Sequence, residues 1–236
     1  MSDIADRIHQ IRERVAQAAR RSGRNPDEIM LMAVSKTHSP QSIISAYQAG
    51  IRIFGESRVQ EFGGKFHALQ PLKDARWILI GHLQSNKANK AAELFHGVHS
   101  VDSLRLIERL NAARERPGLS PLEVLLEINV GGEAAKAGLR AELEAIQELL
   151  NAVASLPRIQ IRGLMTIPPH TEDPEGARPY FRKLRSLRDE IARQNFPAVS
   201  MDALSMGMSH DFEVAIEEGS TCVRIGTAIF GERPTK

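Results

Sequence analysis

Cysteine is almost missing from this chain. Cys222 is the single one in 236 residues, so no disulfide can form within it. It lies in an apolar, strand-like run and reads as an inert core thiol, which suits a reducing compartment. Aromatic residues are scarce, at 5%, with one tryptophan and two tyrosines. No apolar stretch approaches the length of a membrane span. Neither sign of charge dominates: 31 Lys and Arg face 29 Asp and Glu, a net +2 with the signs interspersed. Arg158, Arg162 and the stretch from Arg178 to Arg193 are locally basic. Nothing, however, forms a nucleic-acid stripe or a membrane-binding face. Asp3, Asp6, Arg7, Arg12, Glu13 and Arg14 charge the start too heavily for a signal peptide, so the cytoplasm is the expected location. Metal-site patterns such as HExxH and CxxC do not occur, and the pair His96 and His99 is no substitute. Gly131-Gly132 is not a dinucleotide fingerprint, and Ser205 and Ser209 lack the context of a hydrolase nucleophile elbow. Internal repeats, low-complexity segments and interior linkers are also lacking.

What is present is an ordinary globular composition, 42% hydrophobic and 25% charged. It is long enough to bury a real core, as one α/β barrel or two small domains. Ile4, Ile8, Ile11 and Val15 set a helix over 3–22, ended by Gly23. Strand-like runs then occur at 29–35, 51–55, 76–80, 97–101, 122–130, 159–165, 200–204 and 222–226. Helical segments lie between them at about 40–49, 57–69, 84–95, 103–115, 140–154, 174–194 and 209–218. Ser39-Pro40 marks one helix start and Gly50 its end. Ser57-Arg58-Val59-Gln60 fits a capping box. Strict alternation implies a parallel sheet, and eight units in this length predict one closed (β/α)8 barrel, a single domain over 1–236 with an extra N-terminal helix.

Active sites of such barrels lie at the carboxyl ends of the strands. Lys36 closes the run Leu31-Met32-Ala33-Val34-Ser35-Lys36 just before a turn. Strand alternation puts it on the face of Met32 and Val34. Alone, it reads as a solvated strand end or as a chemical amine, since a partly desolvated lysine has a lowered pKa and can form a Schiff base with an aldehyde. Small, polar and ionisable residues accumulate at the other strand ends. Barrels often bind phosphate with the loops after strands seven and eight, here Ser205, Gly207 and Ser209, then Gly226 and Thr227. Backbone N–H groups and hydroxyls of this kind cradle an anion, although they also make turns and caps. Asp211 and Glu213 must then point away from any phosphate. Arg224, inward on the last strand, needs an acceptor: an ion pair with Glu56 or Glu127, or a ring nitrogen or acid group of a ligand. Trp77 and Phe54 read as core residues.

Lysine, anion cradle and barrel together suggest pyridoxal 5′-phosphate (PLP). The motifs Ala33-Val34-Ser35-Lys36, Phe54-Gly55-Glu56-Ser57-Arg58-Val59-Gln60-Glu61 and Ile80-Gly81-His82-Leu83-Gln84-Ser85-Asn86-Lys87 resemble those of the YggS/PROSC family of PLP homeostasis proteins. So do Gly163-Leu164-Met165, Leu204-Ser205-Met206-Gly207-Met208-Ser209 and Val223-Arg224-Ile225-Gly226-Thr227-Ala228-Ile229-Phe230-Gly231. The resemblance spans nearly the whole chain. It implies a barrel like the N-terminal domain of alanine racemase, termed fold-type III. It also implies a Schiff base between Lys36 and PLP, phosphate contacts from Ser205, Ser209, Gly226 and Thr227, and Arg224 near the pyridine nitrogen. The family usually has asparagine where this chain has Ser57, which bears on ligand contact and not on the fold.

The expected function is to hold PLP and hand it over, with PLP-dependent apoenzymes as recipients, without efficient catalysis, and as a monomer with no nucleic-acid or membrane partner. The rival is a PLP-dependent amino-acid racemase. Racemases of this fold carry a further domain that supplies a tyrosine acid/base, whereas this sequence runs to Lys236 soon after the last barrel segment and has only Tyr47 and Tyr180, both in helical patterns. A Schiff-base aldolase fits the barrel and the lysine but not the full motif set.

Overall fold

The structure is a computed structural model that describes residues 3–133 and 136–232. The ends of the expected 1–236 domain, including Lys236, lie outside the described residues.

Among the described residues, nine strands occur in chain order: β1 Met30–Val34, β2 Ile53–Glu56, β3 Arg76–Leu79, β4 Gly97–Val101, β5 Leu122–Asn129, β6 Leu139–Arg140, β7 Ile159–Met165, β8 Val199–Met208 and β9 Cys222–Ile225. Their order in the sheet is β4-β3-β2-β1-β9-β8-β7-β5-β6, and the additional pairing of β4 with β5 closes the ring. β6 is a two-residue spur that pairs only with β5. The other eight strands make a closed parallel barrel, so the expected strands six to eight are β7 to β9.

Helices α1 Ile4–Arg21, α2 Pro40–Gln48, α3 Val59–Leu69, α4 Ala88–Leu94, α5 Leu104–Arg114, α6 Leu143–Ala152, α7 Arg178–Gln194, α8 Phe212–Glu217 and α9 Thr227–Phe230 complete the fold. Period-2 strands and period-3.6 helices bury their apolar sides against each other in one large layer. Phe54 and Trp77, on neighbouring strands, stack at 5.0 Å there, and Phe62 of α3 packs on Trp77 at 4.9 Å. A separate, smaller cluster of Met32, Ile78 and Cys222, with Ile53 and Ile80, packs apart from that layer. On β1, Met32 thus belongs to one cluster and its neighbour Ala33 to the other, as alternation requires. Extra helix α1 buries Ile8, Ile11 and Val15, and its Arg14 and Arg21 pair with Glu213 of α8 at 2.8 and 2.9 Å.

Three local expectations need correction. The Ser57 capping box is not formed: α3 begins at Val59 after Arg58, with no side-chain cap. The helix expected over 209–218 is only the six residues of α8. The strand expected over 200–204 extends to Met208, carrying Ser205 and Gly207 into the sheet. The register of β8 against β9 shifts between Ser205 and Met208, and this bulge gives the strand end the look of a turn in sequence.

Candidate functional site

A cavity of about 370 Å³ opens at the carboxyl ends of the strands. Its wall includes Lys36, Ser209, Arg224, Gly226 and Thr227, together with Ser57, Val34 and Ile80. Residues far apart in sequence meet here because each follows or ends a barrel strand. A wider depression of about 890 Å³, lined by Trp77, Phe95 and Arg114 among others, contains none of these strand-end residues.

Lys36 is half-buried in the turn after β1. The next residue, Thr37, has a φ of 67°, a left-handed conformation that a β-branched side chain rarely adopts. Its N–H donates to Glu61 Oε1 at 2.6 Å. The same oxygen accepts from Lys65 Nζ at 2.6 Å. Lys65 also reaches the Ser35 carbonyl at 3.3 Å and Glu56 Oε1 at 3.4 Å, and Ser35 donates its hydroxyl to Glu56 at 2.7 Å. Burial pushes the fully buried Glu56 carboxyl above its usual value, against the pull of Lys65 and the Ser35 hydroxyl. For Glu61, burial also pushes upward but is outweighed by the bonds from Lys65 and Thr37, so it is held below the ordinary value. These groups fix the loop that presents Lys36.

Arg224 is 3% exposed and donates three hydrogen bonds. Nη1 reaches the Ser205 carbonyl at 2.6 Å and the Ser205 hydroxyl at 2.8 Å, and Nη2 reaches the Thr166 carbonyl at 2.8 Å. Burial pulls its pKa down, yet a guanidinium keeps its proton in proteins. Neither expected ion pair, with Glu56 or Glu127, occurs among the described residues. Glu127 acts on Arg224 only through space, and its own carboxyl is raised first by burial and then by Asp102.

Of the residues expected to contact phosphate, Ser205 is set apart from the others. Ser205 is fully buried and does not line the cavity. Its hydroxyl is turned to Arg224, so it fixes that side chain instead. Ser209, Gly226 and Thr227 do line it, and Thr227 opens α9, where the first N–H groups have no partner inside the helix. The two acids that needed to point away are engaged elsewhere. Asp211 Oδ1 accepts from the Met208 N–H at 2.6 Å, and Glu213 holds Arg14 and Arg21. Gly81 lies against the backbone of Ser57, where a Cβ would come within 2.3 Å of the Ser57 oxygen. Residues not singled out as ligand contacts also line the cavity: Ile167, Met208 and His210. Met208 stands in the quoted segment from Leu204 to Ser209 and Ile167 lies two residues past Gly163-Leu164-Met165, but His210 gives no signal beyond its place next to Ser209.

A closed parallel barrel with an amine at one strand end and small polar residues at two others is of the alanine racemase N-terminal domain class, and residues 7–234 match the family of that description. Alanine racemase from Corynebacterium glutamicum shares the fold at a TM-score of 0.69 and 17% identity, over 98% of this chain and 62% of that one. Much closer is a protein of Aquifex aeolicus named pyridoxal phosphate homeostasis protein, 46% identical over 98% of this chain and 99% of its own length. PipY of Synechococcus elongatus, solved with PLP bound, superposes at a TM-score of 0.84 with 37% identity, over 97% of this chain and all of that one. The chain therefore belongs to the family of pyridoxal phosphate homeostasis proteins.

Proposed function

We propose that this protein binds PLP in the strand-end cavity, with Lys36 as the covalent attachment point, and holds it for cytoplasmic PLP homeostasis without efficient catalysis. One observation carries the reading: Lys36, Ser209, Arg224, Gly226 and Thr227 wall a single cavity of about 370 Å³, within the range of small-molecule and cofactor sites. The donor set fits PLP, an aldehyde with a ring nitrogen and a phosphate. Its apolar walls, Val34, Ile80 and Ile167, suit the faces of a ring. When bound, PLP supplies an electron-withdrawing ring joined to an amine-reactive aldehyde.

The residues divide the work. Lys36 Nζ offers the amine, and the Thr37–Glu61–Lys65 contacts hold its loop. Ser209, Thr227 and the backbone at Gly226 offer phosphate donors. Arg224, immobilised by Ser205 and Thr166, stands as a fixed cation at the wall. Ser205 is thus a positioning residue for Arg224. The names of the relatives and the PLP in PipY support the same reading. Recipients are PLP-dependent apoenzymes, and the barrel acts as a monomer.

The test is borohydride reduction of the PLP-loaded protein followed by peptide mapping. The label is expected on Lys36, and Lys36→Ala is expected to lose both the label and the visible absorbance. A label on Lys136 or Lys87, with normal absorbance in Lys36→Ala, overturns the assignment.

A further inference from the structure

The depression of about 890 Å³ lies at the end of the barrel away from Lys36. Helices α3, α4 and α5 end around it, and Arg76 and Glu123, among the first residues of β3 and β5, also line it. Its wall includes Phe66, Leu72, Leu119 and Pro121. Phe66 and Leu119 are half-buried and leave apolar surface open to a ligand.

Arg114, the last residue of α5, lines the depression and is 5% exposed. Nη2 donates to the Phe95 carbonyl at 2.8 Å. Nε is enclosed by protein, so nothing in the depression reaches it. Nη1 differs: it is not enclosed, and it has no hydrogen-bond partner among the described residues. No carboxylate offsets the burial of this cation either, since burial alone pulls its pKa down. A guanidinium this deep is ordinarily paired. Its neighbours do not supply the pair. Glu123 is held by Arg76, and Glu93 by Lys90 at 3.1 Å. Lys73, on the exposed rim, adds a second cation without an acidic partner among the described residues. The three helix ends contribute about half a negative charge each, together less than the two cations. His96 adds a donor. Its Nδ1 accepts from the Trp77 N–H at 3.1 Å, which assigns the proton of the neutral ring to Nε2. Burial, then Arg76 and Arg114, lower its pKa and keep the ring neutral.

We propose that this depression binds a small organic monoanion, a carboxylate on an apolar body, with the carboxylate on Arg114 Nη1 and His96 Nε2 and the body against Phe66 and Leu119. The buried guanidinium without a counter-charge selects an anion, and a charge-assisted hydrogen bond repays the water the carboxylate gives up. The apolar wall selects the rest of the molecule. Glu93 and Glu123, also on the wall, disfavour a second negative charge, which sets a carboxylate above a phosphate. The site shares no lining residue with the strand-end cavity.

The experiment uses the purified, isotopically labelled protein after incubation with PLP, titrated at neutral pH with 3-phenylpropanoate, 3-phenylpropan-1-ol, acetate and phenyl phosphate and followed by backbone amide NMR. Uptake of PLP is read separately by absorbance, so its failure leaves this titration intact. 3-Phenylpropanoate is expected to shift the amides of Phe95, His96, Arg114 and Leu119, and not those of Met208 or Gly226. The alcohol lacks the charge and is expected to bind at least about tenfold more weakly, the worth of a charge-assisted hydrogen bond. Phenyl phosphate is expected to bind more weakly than the carboxylate, and acetate, which lacks the apolar body, not to saturate. Arg114→Met is expected to erase the preference for acid over alcohol, while Lys73→Ala costs at most about fivefold, as an exposed charge does. Leu119→Trp, which crowds the wall and keeps the guanidinium, is expected to weaken both ligands, and it tests the site should Arg114→Met not fold. The proposal is overturned if no probe shifts these amides, if shifts centre on Met208 and Gly226, or if the alcohol, acetate or phenyl phosphate binds as well as 3-phenylpropanoate. It is equally overturned if folded Arg114→Met retains the preference, if Lys73→Ala alone abolishes it, or if Leu119→Trp binds the acid as the native protein does.

Discussion

Lys36 was legible because strand alternation alone placed an amine at a strand end. Its support was not. Lys65 and Glu61 lie on α3, one turn apart, and in sequence they look like an ordinary surface i, i+4 pair. In the fold they join Glu56 of β2 and the strained Thr37 into one charged knot beneath the lysine loop. The Lys65 side chain is 12% exposed and that of Glu56 is 0%, so removing the cation leaves a buried carboxyl without its counter-charge. Lys65→Met is expected to cost about 3 kcal/mol, the low end for a broken buried pair because Glu61 keeps some solvent. The pH dependence follows from direction. A carboxyl raised in the fold stabilises it fully below the unfolded value, and that contribution is lost as pH rises through the folded value. Glu56 is raised already, and loss of Lys65 raises it further. Glu61, now held down by Lys65, would rise as well. Urea unfolding of Lys65→Met should therefore show a larger deficit at pH 8 than at pH 5, and adding Glu56→Gln should shrink the difference. Equal deficits at both pH values would refute this account.

At the scale of elements, the strand and helix alternation was readable, since each segment carries its own period. The failures share a cause: tertiary contacts decided them. β6 is two residues paired with β5, too short to show any period. The Ser57-to-Gln60 spacing matched a capping box, but the chain uses Ser57 on the cavity wall instead. At the end of β8, Gly207 read as a turn, yet it is a strand residue with a φ of 94°. A Cβ there would lie 2.6 Å from that of Ala215 and 3.0 Å from the Phe212 Cα. That is why the Ser205 side chain could not be assigned from sequence: the bulge decides which side chains reach the cavity. Gly207→Ala is expected to cost about 2 kcal/mol from backbone strain and crowding and to displace Ser209. Affinity for PLP should then fall more than affinity for pyridoxal, as read by equilibrium titration, and an equal loss for both would separate Gly207 from the phosphate. In the native protein the phosphate donors should favour PLP over pyridoxal by at least tenfold, since charge-assisted hydrogen bonds are worth about 1.5–3 kcal/mol each. Equal binding of the two ligands would remove the phosphate from the loops after β8 and β9.

At the scale of the whole molecule, the barrel gathers ionisable groups from many strands at one mouth, and which of them line the cavity bears on what chemistry is possible. Apart from Lys36, the ionisable side chains on the cavity wall are His210 and Arg224. Arg224 cannot serve as a base, because a guanidinium does not give up its proton, and its fixed charge disfavours a second positive charge on a nearby ring nitrogen. The two tyrosines are no help among the described residues. Tyr47 of α2 bonds to Asp74, and Tyr180 of α7 packs at the edge of the outer core. Among the described residues, the acid or base on the cavity wall available to partner Lys36 is therefore His210, which is exposed and 5.9 Å from the ring of His170. An exposed imidazole is poorly oriented for proton transfer at a fixed atom, and well-placed acid–base help contributes about 10²–10⁴-fold in rate. PLP-loaded protein incubated with L- and D-alanine in D₂O is accordingly expected to exchange the α-proton only at trace rates, with His210→Ala removing what remains. Rapid exchange abolished by Lys36→Ala would make the protein an enzyme. If that exchange also depended on His210, the catalytic pair would be the strand-end lysine and the histidine beside Ser209.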